Sequence, residues 1–160
     1  MQEVFRRIQA GDTDVPEGAR LMLEQAMPQI EQADIAIMLA PGDKGHNVNM
    51  VAAPFSPTPT LDEVLTGLEP MLRQQFEGMY PGVQFGESGA AKLGSIDALL
   101  FPYSYIVNDV TYHQIQYYAF YEDQQYVMTF TWVGPTDEEL AQLEAIEAQT
   151  VASLVPMPKE

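Results

Sequence analysis

Hydrophobic positions in this chain recur with two periods, and the switch between them marks out its elements. Leu61, Val64, Leu65, Leu68, Leu72, Phe76 and Met79 follow one another at spacings of three and four, which places them on one face of a helix. Thr60 and Glu63 form a capping box at its start, in which hydroxyl and carboxylate satisfy backbone donors left free by the first turn. Pro70 lies inside the run and predicts a kink near Thr66 to Pro70, because proline has no N–H to offer the Thr66 carbonyl. The same period returns at Leu140, Leu143, Ile146, Val151 and Leu154, opened by Thr136 with Glu139 and stopped by Pro156 and Pro158. A further helix is predicted near the N-terminus. Asp14 caps it, Pro16 sits in its first turn, Ala19, Met22, Leu23, Ala26 and Ile30 share a face, and Pro28 ends or kinks it.

Elsewhere the period is two. DIAIMLA and VNMVAAP, within 34–54, are apolar runs separated by PGDKGHN and read as a hairpin. MYPGVQFGESG reads as loop with a short strand. SIDALLFPYSYIV, VTYHQIQYYAFY and YVMTFTWVG then follow, joined by turns at Asn108-Asp109 and at Glu122-Asp123-Gln124-Gln125, and predict an antiparallel meander. In its last strand Tyr126, Met128, Phe130 and Trp132 share the face that belongs in the core. Pro102 lacks a ladder donor, so its strand has an edge or a bulge there. Each element carries one apolar face, and the economical packing is an α+β fold of two layers, helices laid on an antiparallel sheet. The 160 residues, with no internal repeat, fit a single domain: a helical segment at 1–33 and a core at 34–155.

Charge narrows the partners. Seven basic residues stand against 23 acidic ones, a formal charge of -16, and no lysine or arginine occurs between Lys92 and Lys159. Such a surface repels phosphate backbones and anionic headgroups, so neither nucleic acid nor a membrane surface is expected as partner, while a protein with a basic or apolar surface is. The same charge opposes close self-association and favours a monomer or weak homodimer. The sequence has no cysteine, no apolar stretch of ~20 residues for a membrane helix and no signal-peptide core of roughly 7–15 residues. It therefore reads as cytoplasmic as it stands, or extracytoplasmic if a leader has been removed.

Few residues in the sequence are spaced for chemistry. His46 and His113 have no second ligand at metal-binding spacing, so no metal and no cofactor is expected. Ser88 in GESGA departs from the G-x-S-x-G elbow, and GESGAAKLG lacks a phosphate-binding glycine pattern. No catalytic residue is assigned. A hydrolase or isomerase using His113 with nearby acids is the least favoured function. What stands out is a set of aromatic and polar residues on two adjacent strands: Tyr103, Tyr105, Tyr112, His113, Tyr117, Tyr118, Phe120 and Tyr121. Tyrosine offers large contact area at low entropy cost, so Tyr103, Tyr105, Tyr112, His113, Tyr117 and Tyr121 are the candidate partner-binding residues. Tyrosine is also a favoured strand residue that fills core edges, and that reading stands beside it.

NVNMVAAP, the proline-rich turn and LDEVLTGLEPMLRQQF, then LGSIDALLFPYSY, HQIQYYAFYEDQQYVMTFTW and a closing helix together resemble the PsbP-like superfamily over roughly residues 34–155. The resemblance rests on Asn47-Val48-Asn49 entering a strand, on Gly94 before the strand with Ala98, and on Tyr126 to Thr131. Its members include the photosystem II extrinsic subunit, the yeast Ran-binding import factor, DcrB-like bacterial proteins and secretion-effector chaperones. It implies an α/β/α sandwich with a central antiparallel sheet and flanking helices, and a non-enzymatic role as a protein-binding adaptor or chaperone. The family's early P-x-G-W-like turn is matched only by Pro16-Glu17-Gly18-Ala19, without the tryptophan. The alternative function is carriage of a small apolar ligand or lipid between kinked helix and sheet, where Met71, Leu72, Phe76 and Met79 offer adaptable surface.

Overall fold

Three long strands joined by two-residue turns organise the molecule. A computed structural model describes residues 34–39 and 44–154. Strands β1 (Asp34–Leu39) and β2 (Asn47–Pro54) form the expected hairpin. A helical run follows, here α1, composed of an α turn (Leu61–Glu63), a π segment (Val64–Leu68) and an α stretch (Glu69–Met79). Then come β3 (Gln84–Phe85), β4 (Gly89–Leu93), β5 (Ile96–Val107), β6 (Val110–Tyr121), β7 (Gln124–Val133) and α2 (Asp137–Ser153). The helix expected over 14–30, and Pro156 and Pro158, lie outside the described residues.

All pairings among the described residues are antiparallel, in the order β1-β2-β7-β6-β5-β3, with β4 also on β5. Both meander turns put two residues at positive φ, Asn108 and Asp109 at 51° and 64°, Glu122 and Asp123 at 49° and 58°. This is the type I′ geometry whose twist matches that of the strands. The second turn is tighter than expected, since Gln124 already belongs to β7.

Alternation on the central strands separates two cores. Val48, Ala98, Tyr117, Ala119, Met128, Phe130 and Trp132 pack with Leu93, with Leu140, Leu143 and Val151 of α2, and with Leu154 just after it. The opposite parity, Leu99, Phe101, Tyr103 and Tyr118, packs with Val64, Leu72 and Phe76 of α1. The helices therefore lie on opposite faces, and the arrangement is the three-layer α/β/α sandwich that the resemblance implies, not the two layers expected from the apolar faces alone. The cause is that β5 and β6 are apolar on both faces, so one helix layer leaves half of their apolar side chains in water. The Met128, Phe130 and Trp132 face is buried as expected, at 2%, 0% and 0% exposure.

Both capping boxes form: Glu63 Oε2 accepts from the Thr60 N–H at 2.8 Å and Glu139 Oε2 from the Thr136 N–H at 2.7 Å. Pro70 disturbs α1 at the stretch where a kink is expected, through a π segment. The helix widens ahead of it, with the Glu69 N–H reaching back to the Val64 carbonyl, and Pro70 sits in the first turn of the α stretch that follows. Pro102 lies on the outer side of β5, where β4 has ended and β3 begins. Its carbonyl accepts from the Gly86 N–H at 2.9 Å on that side, so its missing donor also faces the edge and costs the β6 ladder nothing. Gly94, at φ +63° in the β4–β5 turn, donates its N–H to the Val151 carbonyl at 2.9 Å and anchors the end of α2.

Candidate functional site

The aromatic side chains of β5 and β6 separate by parity and by strand end. Tyr103, Tyr105 and Tyr112 fall on the α1 face at one end of the strands, and Tyr80, the residue closing α1, joins them. Tyr80 stacks on Tyr105 at 4.1 Å between centroids, and Tyr105 on Tyr112 at 5.3 Å with planes 4° apart. Tyr103 lies against Phe76 at 4.6 Å and Tyr105 at 6.1 Å. The result is a continuous ladder that runs from the α1 core out to half-buried Tyr112. Gln114 locks it, accepting from the Tyr103 hydroxyl at 2.7 Å and donating to the Tyr105 hydroxyl at 3.1 Å. Burial, and then the neighbouring tyrosines, push the Tyr103 and Tyr105 hydroxyls well above the usual phenol range, so both stay protonated.

Beyond the ladder the β5–β6 hairpin projects an apolar tip. Ile106 is 66% exposed, Val107 43% and Val110 37%. Val107 and Val110 pair across the turn on the face that carries Tyr105 and Tyr112. Aromatic stacking behind and an I′ turn in front hold these residues in place while leaving them in water.

The other candidates lie elsewhere. Tyr117 is buried on the α2 face, and its hydroxyl donates to Glu147 Oε1 at 2.7 Å, where burial pushes the Glu147 carboxyl up. Tyr121 is exposed at the far end of β6. His113 is half-buried on the α2 face, paired in register with Ser104 and Trp132. With Ser104 and Glu144 it lines a cleft of about 320 Å³, but no hydrogen bond among the described residues joins the three. His46 accepts from the Val133 N–H through Nδ1 at 3.0 Å and meets Trp132 edge-on, and burial holds its pKa below the ordinary value. Among the described residues no group of three or more His, Asp or Glu side chains is placed to hold a metal ion.

Sequence reading missed Tyr80, which reaches the ladder from a helix end, and the tip residues Ile106, Val107 and Val110. The tip carried a usable signal: apolar residues directly flanking a two-residue turn lie beyond the reach of any covering helix.

No family model and no curated protein matches the chain. Solved structures do. One is a Pseudomonas aeruginosa protein of unknown function, PA94, at 20% identity and TM-score 0.56 over 80% of this chain and 86% of that one. Another is cyanobacterial PsbP (CyanoP) from Synechocystis, at 9% identity and TM-score 0.53 over 74% and 79%. At these identities the likeness is one of fold, and it gives the α/β/α sandwich a PsbP-like architecture.

Proposed function

We propose that this protein is a non-enzymatic protein-binding module, an adaptor or chaperone-like component, that docks through the end of the β5–β6 hairpin. The observation that carries the reading is the exposed tip of Ile106, Val107 and Val110 fixed to the Tyr80, Tyr105 and Tyr112 ladder. Interface energy concentrates where aromatic and aliphatic anchors are already rigid before contact, since little side-chain entropy is then lost on binding. Tyr103 and Tyr117, both buried, act as support for this surface and for the opposite core. Asp109 at the tip and the chain's charge of -16 favour a partner whose apolar patch has a basic rim.

The alternatives have less support. Leu72 and Phe76 are core residues while Met71 and Met79 are exposed, so these four line no common space for a lipid. A hydrolase reading has His113 with Ser104 and Glu144 in one cleft, without the hydrogen bonds that would activate a nucleophile.

A photo-crosslinking residue placed at Ile106, compared with one at Met71 on the exposed side of α1, tests the proposal in the cells that make the protein. One discrete adduct from position 106, absent from position 71 and lost on Val107→Ser, is the expected result. Equal labelling from both positions, or none from 106, refutes docking at the hairpin.

A further inference from the structure

At the opposite end of the same strands lies a cleft of about 410 Å³, within the ~300–1,000 Å³ range of small-ligand sites. Its walls include Tyr118, Phe120 and Tyr121 from β6, Thr60 at the start of α1, Ser95 from the β4–β5 turn and Asp97 from the start of β5. Among the described residues that line it, none is a lysine, arginine or histidine. Phe120 is held by an edge contact with Phe55 at 5.0 Å; Tyr118, bonded to Gln116 Oε1, is buried in the α1-side core, so the rings within reach of a ligand are those of Phe120 and Tyr121.

We propose that this cleft receives a cationic side chain, an arginine or lysine, presented by a partner protein. Aromatic faces attract a guanidinium or ammonium through their quadrupole, and a carboxylate beside them supplies the counter-charge. Asp97 is that carboxylate. At present it pairs with Lys92, but both side chains are mostly exposed, at 59% and 62%, so the pair is one that a stacked cation displaces readily. The start of α1 also opens here, and a helix N-terminus repels cations. Glu63 counters it: its carboxylate caps the Thr60 N–H and accepts from the Thr60 hydroxyl, and the backbone bond holds its pKa below the ordinary range, so a full negative charge sits on the helix end. The site is separate from the hairpin tip. Between Ala98↔Ala119 and Val107↔Val110 the β5–β6 ladder runs nine residues, about 30 Å at the usual rise per residue.

The test uses N-acetylarginine methylamide as probe and its neutral isostere N-acetylcitrulline methylamide as control, titrated into the ¹⁵N-labelled full chain and followed by amide shifts. Saturable shifts at Ser95, Ile96, Asp97 and Tyr121 with the arginine probe alone are expected. Asp97→Asn should weaken them at least fivefold, and Lys92→Ala should tighten them severalfold by removing the competing cation. Lys44→Ala, which removes a distant positive charge, should leave them unchanged. Tetramethylammonium separates the sources: saturation of the same amides by it as tightly as by the arginine probe would point to a free small ammonium and overturn the side-chain assignment. Equal shifts from the citrulline probe, or an equal gain from Lys92→Ala and Lys44→Ala, would reduce the effect to packing or to general acidity and overturn the site.

Discussion

Gly94→Ala is the substitution whose cost the structure sets most tightly. Gly94 has φ +63°, and a Cβ there would lie 2.1 Å from the Leu154 carbonyl oxygen and 2.9 Å from its carbon. Holding an alanine in the left-handed region costs about 1–2 kcal/mol. Relieving the contact needs the Leu154 carbonyl to retreat by about 1 Å, in a region packed to crystal-like density. That retreat draws Val151 and Leu154 off the α2-side core, a displacement of the kind that costs roughly 1–3 kcal/mol when a core is overfilled. It also weakens the 2.9 Å bond from the Gly94 N–H to the Val151 carbonyl, worth ~1 kcal/mol. The combined loss is about 4 kcal/mol, which for a chain of this length lowers Tm by roughly 8–16 °C. Gly82→Ala is the control, because Gly82 has φ +78° but open space around its Cβ direction. It should lose only the left-handed penalty, ~1–2 kcal/mol. Urea unfolding followed by far-UV circular dichroism measures both. If the two variants unfold at the same midpoint with equal slopes, the close approach of the β4–β5 turn to α2 is not the constraint described, and the reasoning fails.

Two titratable groups make further predictions. His46 has a folded pKa below its ordinary 6.5, mainly through burial, with Glu139 raising it and Lys44 lowering it by smaller amounts, and its Nδ1 must stay unprotonated to accept from Val133. Its contribution is therefore complete above pH 6.5 and is lost as pH falls towards the folded value; wild type should lose stability across that window, and a His46→Asn variant, weaker throughout, should show a flatter profile in denaturant titrations. Glu147 has a folded pKa raised by burial, so its ionisation penalises the folded state as pH rises through that value. Glu147→Gln keeps an acceptor for Tyr117 and should raise Tm at pH 7 but not below pH 4; a variant less stable at neutral pH would show that the carboxylate is needed there.

The legible parts of this fold were those in which a local pattern has one physical cause. Thr60 with Glu63 and Thr136 with Glu139 announce helix starts because both bonding partners lie within a single turn. Met128, Phe130 and Trp132 announce a core face because alternation needs only one strand. The three layers were harder, since Leu99 and Phe101 on one side of β5 and Ala98 and Leu100 on the other leave no polar face to mark solvent. Strand β4, Gly89–Leu93, is built from Gly-Ala-Ala and held by its partner β5, so its own residues carry little strand signal. The tyrosines were visible as a group but not as a site, because strand parity sends Tyr117 and Tyr105 to opposite faces and because Tyr80 arrives from a separate element.

The position of β2 beside β7 has a consequence for biosynthesis. Paired residues of these strands stand 70 to 84 positions apart, from Pro54↔Gln124 to Asn47↔Thr131. On a ribosome adding about 5–20 residues each second, the β1–β2 hairpin waits roughly 4–17 s for its neighbour. The meander from β5 to β7 closes through two-residue turns on a far shorter timescale, ~1–10 μs for a hairpin. Assembly is thus ordered by synthesis: an early ribbon is held in reserve, and the last long strand to emerge joins the two halves of the sheet.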